Sequence, residues 1–327
     1  MNTRRPLLKL TLVALASLAL AAPFAQAQAD YPTRPVRIVV PFAAGGPADN
    51  YARFIAQRLQ AELKQPFVID NKPGAGSVIG TDLVAKATPD GYTLLMMSNT
   101  HTVNESLIPS KPFNLMNDFV GIAPVNSSDL MLVVHPSVKA RTLPELIALA
   151  KSQPGKLNYA SSGNGTPYHM AGELFKHMAG VRITHIPYKG SSGARTDVVG
   201  GQVDMMFDAV TTMAAMAKDG KVRGLATTGK TRLPGTPDMP TASEAGVPGY
   251  EATIWLGLMA PKGTPPEIVN RLNAEVRKIV AQPEVRSLWA AQGAVPMSMT
   301  VPEFQQYLGA DIAKWSNIVK VSGAKPD

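Results

Sequence analysis

Hydrophobic residues along this chain alternate between two spacings, which predict strands followed by helices. Residues 36–40 (VRIVV) are mainly β-branched, and this favours a buried strand. After Gly45 and Gly46, apolar residues recur at the spacing of one helical face: Ala52, Ile55, Ala56, Leu59 and Leu63. The first folded unit is therefore predicted to be a strand, a glycine loop and a helix.

The same alternation continues through the chain. Short apolar runs predict strands at residues 66–71, 92–98 and 130–135, and amphipathic patterns predict helices at 143–152 and 265–282. Strands that alternate with helices are typical of an α/β fold with mainly parallel sheets flanked by helices.

The glycine loop at residues 42–49 is a candidate anion site. The first-turn N–H groups of the following helix carry partial positive charge, and glycine lets a ligand approach the backbone closely. The loop lacks the Lys and Ser/Thr of a phosphate-binding P-loop, so backbone amides would hold the anion while Asp49 braces the turn. The alternative is a connection that needs glycine only for its geometry.

A second strand, glycine loop and helix occur further along the chain. Residues 157–161 (LNYAS) predict a short strand, and Gly163 and Gly165 follow it. The next helix carries apolar residues on one side: Met170, Leu174, Phe175 and Met178. One such unit in each of two lobes would fit two loops that face each other across a cleft.

Residues 1–29 have the features of a secretory signal peptide. Arg4, Arg5 and Lys9 precede an apolar run at residues 10–22, which is too short to span a bilayer comfortably, and A-x-A patterns follow. We expect cleavage between Gln28 and Asp30. The chain has no cysteine to accept a lipid, so the product is expected to be a soluble, monomeric protein of the bacterial periplasm.

Composition narrows the function classes. Removal of three basic residues with the signal peptide lowers the net charge from +8 to +5, and no block of Lys/Arg remains, which argues against nucleic acid as a partner. The remaining ~300 residues exceed the usual single core, so two lobes are expected. The five histidines lack the spacing of metal ligands, and no metal or cofactor is predicted.

Two enzyme motifs come close to matching. Gly74, Gly76 and Gly80 are one residue out of step with a dinucleotide fingerprint, so a loop that leads into a helix near the cleft is the better interpretation. Ser162 and His169, with a later Asp, leave a secreted serine hydrolase as an alternative hypothesis. Their spacing across a turn and the missing G-x-S-x-G favour loop and cap roles.

The segment at residues 203–208 (VDMMFD) predicts a buried strand that ends at Asp208. Ligands bind at this end of strands in open α/β sheets. We therefore expect Phe207 to wall a pocket and Asp208 to accept a hydrogen bond from a ligand N–H, from water or from nearby backbone. The alternative is that Asp208 caps the next helix.

Six segments in order resemble one family. They are YPTRPVRIVVPFAAGG, NKPGAGSVIG, PDGYTLL, YASSGNGTPYHMAGELF, IPYKGSSGARTDVVGGQVDMMFD and PTASEAGVPGYEATIWLGLMAPKGTP. Together they cover essentially the whole mature chain and resemble the Bug family, the extracytoplasmic solute receptors of tripartite tricarboxylate transporters. One departure is Gly193, where relatives commonly carry Pro, and it leaves the contribution of the loop at 190–195 open.

The resemblance implies a two-lobed type II periplasmic-binding (Venus flytrap) fold that closes on a small carboxylate and hands it to membrane transporter subunits. In such proteins two glycine loops, here 42–49 and 161–169, hold one carboxylate largely through backbone N–H and hydroxyl groups. A receptor that reports ligand occupancy to a signalling partner would share these features. The expected ligand-binding residues are Phe42, Ala44, Gly45, Gly46, Asp49, Ser98, Ser161, Ser162, Gly163, Gly165, Thr166, His169, Phe207 and Asp208.

The predicted lobes are discontinuous. Lobe 1 comprises residues 30–128 and 254–327, and lobe 2 comprises 129–253. The chain is expected to cross near 126–132 and to return near 253–258, where Trp255 suits hinge or core packing better than ligand stacking. Uncharged wall residues and no obvious Arg clamp favour a mono- or dicarboxylate, with an apolar or aromatic body allowed, over citrate.

Overall fold

The computed structural model describes residues 31–326, so the predicted signal peptide and its cleavage site lie outside the described residues. The strands are β1 (Val36–Val40), β2 (Phe67–Asn71), β3 (Thr93–Ser98), β4 (Phe119–Val134), β5 (Asn158–Ser161), β6 (Thr184–Pro187), β7 (Met205–Ala209), β8 (Arg223–Thr227), β9 (Thr253–Pro261) and β10 (Ala294–Pro296). Each strand predicted from the sequence is present.

Helices follow most of the strands, as the alternating pattern predicts. They are α1 (Pro47–Leu63), α2 (Val78–Ala85), α3 (Asn99–Leu107), α4 (Leu115–Asp118), α5 (Leu143–Ser152), α6 (Pro167–Ala179), α7 (Ser191–Val199), α8 (Val210–Lys218), α9 (Pro266–Ala281), α10 (Pro283–Ala291) and α11 (Val301–Ser322). A 3₁₀ turn, Ala75–Ser77, precedes α2.

The strands form one sheet that changes partners along β4. Its order is β2-β1-β3-β9-β4-β7-β5-β6, with β10 and β8 also paired to β4. The first part of β4, up to Asp129, pairs with β9, whereas its last part, from Leu130, pairs with β7 and β8. We call the elements around β1–β3, β9 and β10 lobe 1 and those around β5–β8 lobe 2.

The predicted α/β architecture is present, but mainly parallel pairing holds only for the outer strands. β1 pairs in parallel with β2 and β3, and β5 with β6 and β7. The central pairs are antiparallel because β4 runs from lobe 1 into lobe 2 and β9 lies beside it in the opposite direction. Strands from separate βα units pair in parallel, whereas the two long central strands do not.

Each lobe has its own hydrophobic core. In lobe 1, α1 buries Ile55 and Leu59, two residues of the predicted helical face, against β1. In lobe 2, Phe175 of α6, Phe207 of β7 and Tyr250 pack ring against ring. These packed faces hold the strand ends in place, and the loops that leave those ends build the site.

A smaller apolar cluster joins the lobes. It contains Val103 and Leu107 of α3, Met170 of α6, and Trp315 and Ile318 of α11. Lobe 2 thus rests on two lobe 1 helices beside the cleft.

Trp255 of β9 packs within lobe 1. Its ring contacts Phe304 and Tyr307, and its Nε1 donates to Asp311 over 3.1 Å. This placement fits the core-packing interpretation of Trp255.

Candidate functional site

A cavity of about 840 Å³ lies between the lobes, at the carboxyl ends of β1, β3, β5 and β6. Lobe 1 contributes residues 41–44, 46–48 and 73–77 together with Ser98, Thr100, Ile254 and Leu256. Lobe 2 contributes residues 162–164, 166–168 and 188–193 together with Arg195. We call residues 42–46 the first cleft loop and residues 162–166 the second cleft loop.

Several helices begin at this cavity. The first turns of α1, α6 and α7 follow directly from loops that line it, and Pro47 and Pro167 stand at the start of α1 and α6. Helix N-termini carry partial positive charge and unpaired N–H groups, so their convergence favours an anion. Proline at the first helical position has no N–H to satisfy.

Asp49 holds the first cleft loop in shape. Gly45 has a φ of +77°, and its N–H donates to Asp49 Oδ2 over 2.9 Å. The other donors to this carboxylate are Arg53 Nε at 3.0 Å and Asn71 Nδ2 at 3.0 Å. Burial raises the pKa of Asp49, but these three donors outweigh it and hold that pKa below its ordinary value.

This bracing decides which amides remain for a ligand. Asp49 braces the turn as predicted. It accepts the hydrogen bond of the Gly45 N–H, so that group is not available to a ligand, and Gly45 does not line the cavity. Gly46 and Ala48 line it, and their N–H groups have no acceptor among the described residues. These amides, one in the first cleft loop and one in the first turn of α1, are available as donors to an anion.

The second cleft loop uses two of its own amides in the same way. Gly163 N–H donates to Ser161 Oγ over 3.1 Å, and Gly165 N–H donates to His169 Nδ1 over 3.0 Å. The first turn of α6 is capped by Thr166 Oγ1, which accepts from His169 N–H. The N–H of Tyr168 has no acceptor among the described residues and remains for a ligand.

Two stacked imidazoles support the second cleft loop from behind. The rings of His169 and His185 lie 4.1 Å apart and 13° from parallel, and His185 Nε2 lies 2.7 Å from Ser161 Oγ. Burial lowers the pKa of His169 to about 4 and, with the neighbouring His169, that of His185 to about 3. Both rings are therefore neutral at neutral pH.

Three residues that line the cavity carry a buried hydroxyl without a hydrogen bond of good geometry among the described residues. They are Ser77 and Thr100 in lobe 1 and Tyr168 in lobe 2. Buried polar groups are almost always paired in folded proteins, so three exceptions in one cavity indicate groups that a ligand or water satisfies. Ser77 was missed in the sequence because its neighbours were interpreted only as a loop near the cleft.

The loop that carries Ser77 is also strained. Ala75 and Ser77 have φ values of 47° and 79° although neither is glycine. Asn104 Nδ2 holds the loop by donating to Gly76 O over 2.8 Å. Residues kept in this region of φ cluster at ligand sites, where the surroundings maintain the strain.

Arg195 of α7 reaches the cavity wall and was not expected. Its Nε donates to Asp208 Oδ2, and its side chain is 14% exposed. Asp208 itself is fully buried, and its Oδ1 accepts from Ala209 N–H. Of the acceptor roles expected for Asp208, the structure shows the one toward nearby backbone, and Arg195 is a second donor that was not expected. The alternative, a side-chain cap on α8, is not observed.

Phe207 does not wall the pocket. It is fully buried in the lobe 2 core, where it stacks with Tyr250, because alternate residues of β7 point to opposite faces. Gly193, the departure from the family pattern, lines the cavity from the first turn of α7.

The predicted site residues divide into those that line the cavity and those that support it. Phe42, Ala44, Gly46, Ser98, Ser162, Gly163 and Thr166 line it. Gly45, Asp49, Ser161, Gly165 and His169 lie behind the lining and hold the loops. The pattern of glycines and cap residues located the loops but did not separate these two roles.

The hydrogen bonds of His169 and Ser161 do not form the serine–histidine pair that the hydrolase alternative requires. His169 Nδ1 accepts from Gly165 N–H, and no hydrogen bond joins His169 to Ser162 within the described residues. The serine that does contact an imidazole is Ser161, which is fully buried and does not line the cavity.

Among residues 31–326, no group of three His, Cys, Asp or Glu side chains is arranged to hold a metal ion. Over the same residues, no helix combines the length and the apolar character needed to cross a membrane.

Comparison with known proteins gives consistent matches. The family described as "Tripartite tricarboxylate transporter family receptor" matches residues 51–324. BugT of Bordetella pertussis is 38% identical over 99% of both chains. An R. palustris protein solved with adipate is 36% identical, with a TM-score of 0.87 over 91% of this chain and 100% of that one.

A second solved structure is MatC from Rhodopseudomonas palustris with bound malate. It is 33% identical, with a TM-score of 0.82 over 88% of this chain and 100% of that chain. Similar structures include periplasmic binding proteins, which confirms the predicted two-lobed fold. The resemblance noted in the sequence is thereby confirmed along nearly the whole chain.

Proposed function

Because the chain belongs to the tripartite tricarboxylate transporter receptor family, we propose that it captures a small carboxylate in its cleft and delivers it to membrane transporter subunits. The observation that carries this proposal is the set of unoccupied donors in one cavity. Helix N-termini and residues with a buried, unsatisfied hydroxyl line it from both lobes. Relatives of this fold hold adipate and malate.

Both lobes contribute donors, so binding is coupled to closure. Gly46 and Ala48 amides come from lobe 1, whereas the Tyr168 amide comes from lobe 2. A carboxylate that bridges them stabilises the arrangement in which the lobes are close, and charge-assisted hydrogen bonds strengthen the effect. Closure would then be the signal that membrane subunits recognise.

A thermal-shift screen tests the proposal. The panel holds mono-, di- and tricarboxylates, aromatic acids and amino acids, and neutral amides of the same acids are the controls. An acid at 100 times its Kd should stabilise the native state by about 2.7 kcal/mol. If no acid raises the melting temperature more than its neutral amide does, the proposal of a carboxylate receptor is contradicted.

We further propose that the mature protein works as a periplasmic monomer. The predicted signal peptide and the family support this location. Uptake of the labelled ligand by cells should fall when either this chain or its membrane subunits are deleted. If uptake persists while a ligand-dependent response is lost, the protein serves a sensor and not a transporter.

The hydrolase alternative has less support, because His169 already accepts from the loop backbone and lies behind the lining. Incubation of the purified protein with an ester panel tests it. Turnover that Ser162→Ala abolishes without loss of substrate affinity would establish the enzyme.

A further inference from the structure

Arg195 is a basic group built into the cavity wall. Its Nε is fixed by Asp208, and its Nη1 and Nη2 make no hydrogen bond among the described residues. A guanidinium has five donors in a rigid plane, so fixing one edge orients the remaining donors. Since Arg195 lines the cavity, we expect its Nη1 and Nη2 groups to be available to a ligand at the cavity wall.

Tyr168 is an independent indication of a ligand at this part of the wall. Its side chain is 5% exposed and lines the cavity, and its buried hydroxyl lies beside the Ser191 side chain without a hydrogen bond of good geometry. The charges of Arg195 and Asp208 both act on this hydroxyl, which places it near the pair. A ligand oxygen bound there could accept from the hydroxyl and the guanidinium together.

The cavity lining also selects against ammonium groups. Among the described residues that line it there is no Asp or Glu, and the buried Asp208 is occupied by Arg195 and Ala209. A ligand amine would therefore lose its water without gaining a charged acceptor. The other basic residue of the lining, Lys189, is exposed at the rim.

We infer that Arg195 is a specificity-determining residue that binds a second carboxylate of the ligand, so the ligand is a dicarboxylate without an amino group. This inference rests on the proposed function, in which the two cleft loops bind the first carboxylate. Asp208 acts as a positioning residue for Arg195. A planar guanidinium binds a carboxylate through two parallel N–H donors, which a methyl group at the same end of the ligand cannot accept.

The test compares dicarboxylates with monocarboxylates of equal carbon number by calorimetric titration. The probes are succinate with butanoate, adipate with hexanoate, and terephthalate with benzoate, and 2-aminoadipate is added as the amine-bearing arm. The wild type should bind at least one dicarboxylate about tenfold to a hundredfold more tightly than its partner, the range expected of a charged hydrogen bond. It should bind 2-aminoadipate more weakly than adipate.

Arg195→Met should remove that preference and leave the affinity for the monocarboxylate within about threefold. Arg195→Lys keeps the charge without the planar fork and should give an intermediate preference. Because Arg195→Met leaves Asp208 buried without its partner, the double variant Arg195→Met/Asp208→Asn provides the same test in a neutral site. Lys189→Met removes a rim charge and should leave the preference within about threefold.

The outcomes separate the two proposals. If no acid binds the wild type, both the proposed function and this inference are overturned. If acids bind but dicarboxylates gain nothing over their partners, or if both Arg195 variants weaken both members of a pair equally, only this inference is overturned. An equal loss would mean that Arg195 holds the same carboxylate as the cleft loops.

Discussion

The two cleft loops have the same local sequence pattern but different support. Each follows a strand, contains glycine at positive φ and leads into a helix with proline at its first position. The first cleft loop is held by a carboxylate whose partner Arg53 is 54% exposed. The second is held by His169 and His185, neutral rings stacked within lobe 2.

This difference teaches that loop geometry and loop support are separate properties. Both loops leave helix-end amides without an acceptor, while the amides of Gly45, Gly163 and Gly165 bond to side chains. The first support joins a buried carboxylate to the exposed Arg53, and solvent weakens this ion pair from the arginine side. The second is a buried stack, so we expect it to be less tolerant of substitution and more sensitive to acid.

The largest expected effect is a loss of folding stability when Gly165 is replaced by Val, a loss that the same substitution at Gly46 should not cause. A Cβ on Gly165 would lie 2.7 Å from Leu107 Cδ2 and 2.8 Å from Asn104 Oδ1, at a φ of +72°. Gly165→Val should therefore destabilise the fold by about 2–5 kcal/mol, since strain and overpacking add. Chemical denaturation of the ligand-free protein measures this change.

Gly46→Val is the matched variant in the first cleft loop. Gly46 has a φ of −81°, and a Cβ there would meet only Ala43 O at 3.5 Å. Stability should fall by about 1 kcal/mol at most, whereas carboxylate binding should be lost because the side chain enters the cavity. Full-strength binding by Gly46→Val would remove the first cleft loop from the anion site.

The second largest effect is expected at the buried stack. His169→Ala deletes the ring that accepts from Gly165 N–H and stacks on His185, and leaves a cavity behind the second cleft loop. We expect a loss of about 2–3 kcal/mol of stability from the cavity and the unpaired amide. His169→Gln, which can still accept from that amide, should recover part of the loss in the same denaturation series.

A smaller effect is expected from acid. Burial lowers the pKa of His169 to about 4, so the unfolded chain binds its proton from about pH 6.5 downward while the folded protein does not. Stability should therefore fall as pH drops from 6.5 toward 4, with His169 contributing about 1–2 kcal/mol at pH 5. In His169→Gln this part of the pH dependence should vanish, and an unchanged slope would contradict the buried neutral ring.

Asp49, which supports the first cleft loop, should not add to this fall of stability between pH 6.5 and pH 4. The pKa of Asp49 is lowered, so its stabilising effect is present above the ordinary Asp pKa and is lost only as pH falls through the lower folded value. Between pH 7 and pH 5, the difference in slope between the wild type and His169→Gln therefore separates His169 from other buried groups that titrate there, such as His101 and Asp129.

The smallest effect is expected from Asp49→Asn. The amide oxygen can still accept from Gly45 N–H, while the ion pair with the half-exposed Arg53 is lost. We expect about 1 kcal/mol of destabilisation, because solvent already screens that pair. A loss larger than that of His169→Ala would reverse the ranking of the two supports and would be seen in the same denaturation experiment.

Local features of the site could be predicted from the sequence, and distant ones could not. Asp49 braces Gly45, only four residues away. A short-range pattern of glycine, proline and a cap residue can be recognised directly in a sequence. The stack of His169 on His185 and the pairing of Arg195 with Asp208 join different elements. Such pairs depend on register and packing, which periodicity alone does not specify.

In the sheet, too, local pairings could be predicted from the sequence more fully than distant ones. Parallel pairing of β1 with β2 and β3 follows from alternating strands and helices. The sequence predicts a crossing near 126–132 and a return near 253–258 with a paired hinge strand, and β4 does pair with β9 at these residues. The length and register of this antiparallel pair, whose strands are separated by all of lobe 2, could not be predicted. The division into lobes at the predicted residues stays a prediction.

The most direct measurement is an amide nitrogen–proton spectrum recorded while the carboxylate with the largest thermal shift is titrated into the protein. The central claim is that the ligand carboxylate occupies the open donors at the helix ends. The amides of Gly46, Ala48 and Tyr168 should therefore move downfield as they gain an anionic acceptor, while those of Gly45, Gly163 and Gly165 keep their present partners and shift less. Saturation of the protein with the first three amides unmoved would contradict the claim.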